Sequence, residues 1–468
     1  MLKRLNNSAV VWQWCFNGLR LGFGLFLLPL VLHKLSTADL GMYYVFLFLA
    51  ALVPVIDFGF GGTIGRFVAY AVGGAETLQA QGVGMPATSS EPNYQLLWQL
   101  LQATRILYRY LSLVVFVVLG LYGTYTVELR IHETSSVLIT RLAWGATLAA
   151  TLADIYTGWW LVYLRGLNEV VVAARVGVVA IAVKFVIAAA LLLGGGGLLS
   201  IPLATLVSSL LQRQLARRHC LARLKGEPRH NPHVFRETLH LLWPNTWRLG
   251  IQFMSSYLTL NANMNICTYA FGLKANAVYG LSVQLMNIAI GMASVWTLTK
   301  WPLIAQYQAR HEHAALRAVF RPRVWLQTLT FLLLAGAVVL LGPALVRHFG
   351  SGKEMLPKPW LLALMLCSFL DMQFSLWGTL IATGNRLSYL WPTVATNVGS
   401  LILSLVLVHF TKLGLGALVL GPLLAGLLFN YWYWPQFAAR GIGTTLFRFL
   451  FFGASWHRPA ASDTPSKV

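Results

Sequence analysis

Polar side chains recur at helical spacing inside some of the most apolar stretches of this sequence. In the first stretch, Asn17 and Arg20 are three residues apart and share one helical face. Arg248 and Gln252, four residues apart, repeat this arrangement in a later stretch. An arginine inside a membrane costs between about 2.5 and more than 10 kcal/mol, so it must face water, an opposite charge or an anionic ligand. Because a guanidinium group can hold phosphate oxygens through two parallel bonds, these stripes predict binding of a phosphorylated ligand.

A structural explanation stays open for the stripes that carry no charge. Small and amide side chains also join membrane helices, through close contacts and hydrogen bonds worth about 0.6 kcal/mol each. Two later stretches carry such stripes, namely Gln284, Asn287, Gly291 and Ser294, and Thr393, Asn397, Ser400 and Ser404.

Other charged residues also lie within apolar stretches, among them Lys184 near the middle of one and Asp371 in another. Asp154 and Lys184 fall in consecutive antiparallel helices at depths that differ by less than about 10 Å. They could form a structural pair or belong to a transport path. Asp57 and Arg66 are nine residues apart, which places them on opposite faces of an unbroken helix. We therefore expect Asp57 and Arg66 to have separate roles.

The segment from Pro54 to Tyr70, PVIDFGFGGTIGRFVAY, interrupts an apolar stretch with a proline, an acid, an arginine and four glycines. Proline and glycine loosen a helix, and backbone groups freed at membrane depth are tolerated only beside protein or a water-filled cavity. The G-K-[ST] ending of a phosphate-binding loop is absent. The segment is therefore predicted to line an interface or a cavity.

These residues sit in a chain whose composition is that of a polytopic membrane protein. Of its 468 residues, 57% are hydrophobic and 10% are charged, and the mean hydropathy is +0.65. A span needs about 20 mostly apolar residues, and most of the apolar stretches reach that length. The predicted fold is all-α, with about twelve transmembrane helices. Their approximate extents are 8–33, 40–72, 97–122, 139–163, 170–193, 197–213, 240–271, 277–301, 323–346, 359–383, 388–410 and 414–436.

The net charge of +21 reflects topology rather than nucleic-acid binding. Basic residues concentrate in the predicted loops on the side of the two termini, above all between Arg213 and Arg236. By the positive-inside rule, both termini are predicted to be cytoplasmic. The same basic run divides the chain into a six-helix lobe at 1–212, a linker at 213–238, a second six-helix lobe at 239–438 and a cytoplasmic tail at 439–468. Transporters with duplicated halves place the substrate path between them.

Several kinds of chemistry are disfavoured by the sequence. The four cysteines form neither a disulfide framework nor a C-x-x-C metal site, and three of them fall in predicted spans. The pairs His230 and His233, and His311 and His313, lie in basic loops without acids or cysteines to complete a metal site. Paired catalytic carboxylates, a Ser/His/Asp group and a soluble catalytic domain are also missing. We therefore expect a transporter rather than an enzyme, with no metal or cofactor.

The stretch from Arg20 to Tyr70 resembles the first two helices of the Wzx-type flippases. These form the polysaccharide-export branch of the multidrug/oligosaccharidyl-lipid/polysaccharide (MOP) superfamily. The likeness lies in a turn from Leu35 to Tyr43, an acid-glycine element from Ile56 to Gly59, and an arginine near the helix end, Arg66. The second half departs from the family pattern, since it reads NAVYGL at 276–281 where similar proteins often show a different motif.

The resemblance implies a MATE-like fold of two lobes in a bacterial inner membrane. It also implies alternating access that moves an undecaprenyl-pyrophosphate-linked oligosaccharide, an O-antigen, capsule or exopolysaccharide unit, to the periplasmic leaflet. The expected partners are this glycan and membrane lipid, together with a polysaccharide polymerase and chain-length proteins, and the chain is expected to be a monomer. The predicted headgroup-binding residues are Arg20, Arg66, Arg248 and Lys184, with Asn17 and Gln252. Asp57 and Asp154 are predicted to gate the path or to bind a coupling H⁺ or Na⁺.

Other functions remain as alternatives. A multidrug antiporter of the same superfamily would favour acidic, aromatic cavity walls. A lipid II flippase is chemically closer, but its relatives usually have fourteen helices. A membrane glycosyltransferase or polymerase would carry a sizeable loop with catalytic acids, and a structural scaffold would not need arginines at mid-membrane depth.

Overall fold

The computed structural model describes residues 9–75, 91–226, 234–310, 312–349, 352–383 and 389–451. Within them the regular structure is helical, with no strand. Four side chains named above, those of Asn17, Arg20, Arg248 and Gln252, lie outside the described part of the chain, as do residues 230–233 and His311.

The first half contains six long helices, some of them interrupted. They are α1 (Ala9–Lys34), α2 (Thr37–Ala50, Val53–Asp57 and Phe60–Val72), α3 (Tyr94–Val118, a π-turn at Leu119–Gly123, and Thr124–Arg130), α4 (Val137–Gly166), α5 (Val170–Leu193) and α6 (Ser200–Arg223). Helices α2, α3 and α4 each begin with an N-cap. The side-chain oxygens of Ser36, Asn93 and Ser136 each accept a hydrogen bond from the backbone N–H three residues on.

The second half also contains six long helices. Its helices are α7 (Val234–Leu260), α8 (Ala262–Leu298, then Trp301–Ala309), α9 (His313–Phe349), α10 (Lys358–Thr383), α11 (Leu390–Phe410) and α12 (Gly416–Leu428, then Asn430–Gly441). A short helix, α13 (Leu446–Phe451), follows. Among the described residues, nine helical segments are long and apolar enough to cross a membrane. Helices α1, α6 and α7 are also long enough to cross, with 26, 24 and 27 residues, so the prediction of about twelve spans is confirmed.

Helix ends gather at two opposite faces. One, called here the short-loop face, holds the tight connections α1–α2, α3–α4, α5–α6 and α7–α8. The other, the linker face, holds the end of α6 and the start of α7. Helix α6 ends at Arg223 and so includes the first eleven residues of the stretch at 213–238 that the sequence assigns to the linker. Large apolar side chains point outward along the spans, with Phe410 77% and Leu428 78% exposed, as expected for a surface that meets lipid.

The glycine-rich segment of α2 breaks the helix as the sequence predicts. Phe58 and Gly59 both adopt left-handed backbone angles, with φ of 52° and 75°. The Phe58 ring stacks on Trp243 of α7 at 6.4 Å. It also fills the space beside Gly250, where an added Cβ would stand 2.0 Å from the ring. The break in the first lobe is therefore held in place by the second lobe.

Candidate transport path between the lobes

The two lobes meet along α2 and α8 near the short-loop face. Gly41 lies so close to α8 that an added Cβ would stand 2.0 Å from the Leu273 carbonyl oxygen. Asn276 Nδ2 donates to the Gly41 carbonyl at 3.0 Å. One turn further in, the Tyr44 hydroxyl donates to Gln284 Oε1 at 2.6 Å. Gln284, a member of an uncharged stripe in the sequence, thus joins two helices.

A second set of contacts crosses between the lobes at the same face, and we call it the latch. Arg130 and Glu133 at the end of α3 form an ion pair at 3.0 Å. Arg130 Nη2 donates to the Tyr269 carbonyl at 2.7 Å, and Glu133 Oε2 accepts from the Leu273 N–H at 2.8 Å. That N–H is free to bond outside its helix because Gly272 has non-helical angles, with φ of 79°.

Lys353 reinforces this closure from the connection between α9 and α10. Its ammonium group, 3% exposed, donates to the Leu32 carbonyl of α1 in the other lobe. Burial lowers the pKa of Lys353, and the nearby Asp39 carboxylate partly offsets that effect. The lobes are therefore joined near the short-loop face by at least four polar contacts.

Three basic side chains, which we call the cation group, lie half-buried inside the first lobe. Each lies over an aromatic ring: Arg175 over Trp12 at 5.2 Å, Lys184 over Phe23 at 4.9 Å and Arg213 over Tyr156 at 5.7 Å. Cation–π contact stabilises a charge by about 0.5–2 kcal/mol.

Asp154 is the acid that faces this group. It hydrogen-bonds Ser209 and interacts electrostatically with Lys184, and its side chain is exposed. The ion pairs within 4.0 Å among described residues are Arg130–Glu133, Arg141–Glu128 and Arg223–Glu169. The structure thus brings Asp154 and Lys184 near each other, as the sequence indicates, but without direct contact.

Asp57 and Arg66 lie apart, as their spacing predicts. Asp57 precedes the break in α2, where Oδ1 accepts from the Tyr108 hydroxyl at 2.6 Å and Oδ2 from the Gly61 N–H at 3.5 Å. A carboxylate at that position caps the helix segment that follows. Arg66 is exposed and donates to Thr63 Oγ1 at 3.5 Å.

The second lobe contains a polar cavity of about 220 Å³ between α7, α10, α11 and α12, called here the C-lobe cavity. Asp371 Oδ1 accepts from the Tyr431 hydroxyl at 2.7 Å, and Cys367 Sγ lies 3.8 Å from Oδ2. Asn397 Nδ2 donates to the Ser255 carbonyl at 3.0 Å, while Thr393 Oγ1 is buried without a partner. No lysine or arginine is among its described lining residues.

Sequence reasoning missed three members of these sites. Arg175 lies within the stretch VVVAARVGVVAIAVK of α5, where the rule that singled out Lys184 applies equally well. Arg213 was assigned to the linker because it opens a basic run. For Asp371 the sequence suggests only that it could neutralise a basic residue within the membrane. No sequence signal pairs it with Tyr431, sixty residues away.

Comparison with solved structures identifies proteins of similar fold. Neither a family model nor a curated protein sequence matches the chain. The inward-facing conformation of a multidrug resistance MATE family transporter of the MOP superfamily is 12% identical, with a TM-score of 0.62 over 92% of this chain and 95% of that chain. The outward-facing conformation of a MATE family transporter is 13% identical, with a TM-score of 0.56 over 94% and 99%.

A third solved structure is a MOP superfamily transporter from Pyrococcus furiosus Vc1, for which a binding pocket of reverse polarity is described as suggesting a different function. It is 14% identical, with a TM-score of 0.58 over 94% of this chain and 98% of that chain. Likeness at such low identity shows the fold alone. The predicted MATE-like fold is confirmed.

Proposed function

We propose that this chain is a flippase for a lipid-linked oligosaccharide, a substrate whose headgroup is an anionic pyrophosphate. The observation that carries the proposal is the cation group of the first lobe. Three half-buried basic side chains lie in that lobe, and Asp154 interacts electrostatically with one of them, Lys184, so the three cations outnumber this acid. Basic side chains at membrane depth are costly, and a phosphorylated ligand is a group that could neutralise them.

The aromatic rings under these cations support the same substrate class. Trp12, Phe23 and Tyr156 present flat apolar faces beside charged donors. Sugars combine apolar faces with hydroxyl groups, so the arrangement suits a glycan joined to a phosphate. We extend the headgroup site to Arg20, Arg66 and Arg248, with Asn17 and Gln252, as the sequence predicts.

The contacts between the lobes support alternating access. In this structure the latch and the α2–α8 seam join the lobes near the short-loop face. Opening them would cost several hydrogen bonds, each worth about 0.5–1.5 kcal/mol net. Substrate binding or a coupling ion would have to supply that free energy. A substrate would enter from the linker face, which we take as cytoplasmic, and leave at the short-loop face.

Coupling to H⁺ or Na⁺ would require a carboxylate within the membrane. Asp57 and Asp154 are the acids predicted for gating or coupling, and the C-lobe cavity adds Asp371. Asp57 is occupied in capping α2, so we assign coupling to Asp154 and Asp371. The chain would act as a monomer in a bacterial inner membrane, delivering its substrate to a polysaccharide polymerase and chain-length proteins.

The direct test is transport by the purified full-length chain in liposomes that contain a polyprenyl-pyrophosphate-linked glycan on one leaflet. A lectin that cannot cross the bilayer would report arrival on the other side. Lys184→Ala and Arg20→Ala should abolish arrival while the protein stays in the membrane. Lys412→Ala is the matched control, since this exposed lysine follows α11 at the short-loop face. Unchanged transport by both cation variants would contradict the proposal.

A multidrug antiporter is the second candidate, and the C-lobe cavity favours it. This cavity holds a carboxylate beside tyrosine rings and lacks basic lining residues among those described, which suits an organic cation. The flippase would depend on the cation group of the first lobe, and the antiporter on the C-lobe cavity of the second. Loss of drug export in an Asp371→Asn variant, together with no glycan transport by the parent chain, would favour the antiporter.

A further inference from the structure

A large apolar cavity lies directly beneath the latch, separate from the cation group and from the C-lobe cavity. Its volume is about 700 Å³, which is within the range of pockets that hold a ligand of drug size. Leu52, Val118 and Tyr122 of the first lobe form one wall. Side chains of α7, α8 and α11 in the second lobe form the rest, so any occupant would contact both lobes.

This cavity opens onto the surface that meets lipid. On α11 its wall consists of Leu401, Leu405 and Val408, spaced as one helical stripe. Leu405 is 48% exposed, and the neighbouring Ile402, which points away from the cavity, is 56% exposed. Residues 401–410 are the last ten of α11, which places the opening within about 15 Å of the short-loop end. It therefore faces one leaflet of the bilayer.

Most polar groups in the wall are already bonded to protein. The Tyr257 hydroxyl donates to the Phe48 carbonyl at 3.4 Å, and Asn265 Nδ2 donates to the Tyr122 hydroxyl. Asn265 Oδ1 is the described wall atom left buried without a partner. The interior is thus formed mainly by aliphatic side chains and tyrosine rings, a lining that a hydrocarbon chain can contact without leaving many polar groups unsatisfied.

The rim of the cavity carries polar groups, and the arginine beside it is paired with Glu133. His409 lines it where α11 reaches the short-loop face. The Tyr269 carbonyl, on another rim residue, accepts from Arg130, and Arg130 Nε is buried without a partner. An apolar interior with hydrogen-bond donors near the membrane–water boundary suits a lipid whose chain lies inside and whose phosphate accepts at the rim.

We infer that this cavity binds the isoprenoid chain of the polyprenyl-phosphate carrier in the leaflet at the short-loop face. The inference rests on the proposed function and identifies where the lipid part of the same substrate would bind. The cavity crosses the seam between the lobes and adjoins the latch. An isoprenoid chain bound there would contact both lobes, which must separate at this face. It would lie close to the hydrogen bond from Arg130 to the Tyr269 carbonyl, which joins them.

The test is photo-crosslinking of the purified full-length chain in phosphatidylcholine nanodiscs, with a polyprenyl phosphate that carries a diazirine on its chain. Cross-links should map to 257–270 and 401–409. Leu401→Trp should reduce them severalfold by filling the cavity, whereas Ile402→Trp, at the adjacent lipid-facing position, should leave them unchanged. Because Ala270 is exposed at the mouth, Ala270→Trp gives a second filling variant that does not depend on the packing around Leu401.

Competition separates the two lipid sources. Unlabelled polyprenyl phosphate should displace the probe, and an equal amount of phosphatidylglycerol should not. Equal displacement by both lipids, equal loss in the filling variants and in Ile402→Trp, or cross-links confined to lipid-facing residues would each overturn the inference. Because the readout is binding, it is independent of glycan transport. A cavity without cross-links in a protein that still flips glycan would refute this inference alone.

Discussion

The two lobes carry an acid at corresponding positions, but the side chains around the two acids differ in charge. Helices α4 and α10 are each the fourth helix of their lobe, and each carries an acid, Asp154 and Asp371. Asp154 is exposed and faces Lys184 across the first lobe. Asp371 faces a tyrosine and a thiol in a cavity without described basic residues. Under the proposed function, the first lobe would bind the anionic substrate and the second a coupling cation, so the two would not compete for one site.

The largest effect should come from the Asp154 and Lys184 pair in the first lobe. If Lys184 contacts the phosphate, Lys184→Met should lower transport about 10- to 100-fold, because a hydrogen bond to a charged group is worth about 1.5–3 kcal/mol. The double variant Asp154→Asn/Lys184→Met should stay inactive and keep the thermal stability of the parent. Glycan transport in liposomes and unfolding temperature in detergent measure the two quantities.

The opposite outcome would assign the pair a structural role. Removing one partner of a structural pair of charges destabilises a protein, and removing both restores much of that loss. Single variants that unfold early, with a double variant that regains both stability and transport, would mean that the first lobe has no spare cation for a ligand.

In the second lobe, Asp371→Asn should remove the dependence of transport on an imposed ion gradient. Asparagine keeps an acceptor for the Tyr431 hydroxyl, so the cavity should keep its shape while it loses its charge. We expect a roughly tenfold fall in gradient-driven transport, within the usual range of coupling energies, and unchanged binding of the glycan lipid. Tyr431→Phe is the control, since it keeps the carboxylate and should retain the ion dependence. Weaker glycan binding in Asp371→Asn would instead place the substrate in both lobes.

Much of this comparison could be predicted from the sequence, because the cost of polar groups in lipid leaves a strong pattern. Apolar length predicts the spans, and the glycines at 59–65 predict the break in α2. What sequence spacing could not show is which helices face each other. Gln284 and Asn397 look like lining residues on a stripe, yet they bond to Tyr44 and Ser255 on neighbouring helices.

The difference in charge between the two lobes could not be predicted from the sequence either, for a related reason. A lone arginine in α5 and one at the end of an apolar stretch, Arg175 and Arg213, gain meaning only when tertiary packing places them over rings from α1 and α4. Likewise, Asp371 joins a cavity only because α12 brings Tyr431 beside it. Periodicity reports the face on which a residue lies but not its neighbour.

The latch tests whether the lobes move as separate units. Glu133 accepts a charge-assisted bond from the Leu273 N–H across the seam, and we estimate its net contribution at about 1 kcal/mol because the group is partly exposed. Glu133→Gln should weaken it and increase the population open at the short-loop face. Cys267, fully buried in α8, should then react severalfold faster with a thiol reagent, as measured by residue-resolved mass spectrometry. Unchanged Cys267 reactivity would mean that other contacts keep the lobes closed.

The smallest effect should come from the ion pair between Arg141 and Glu128, which lies at the same face but within the first lobe. Its geometry is better than that of the latch, with two hydrogen bonds at 2.8 and 2.9 Å. Both side chains are largely exposed, however, at 56% and 39%, and such pairs contribute little to stability. Arg141→Gln should therefore change neither the unfolding temperature nor the reactivity of Cys267. This variant and Glu133→Gln each remove one charge near the same water-exposed surface, but only Glu133 bonds to the other lobe. A difference in Cys267 reactivity between the two variants therefore measures the effect of the bond between the lobes. If Arg141→Gln exposed Cys267 as strongly as Glu133→Gln does, the cause would be a general loosening of the α3–α4 connection, and the two lobes would not be independent bodies joined at a latch.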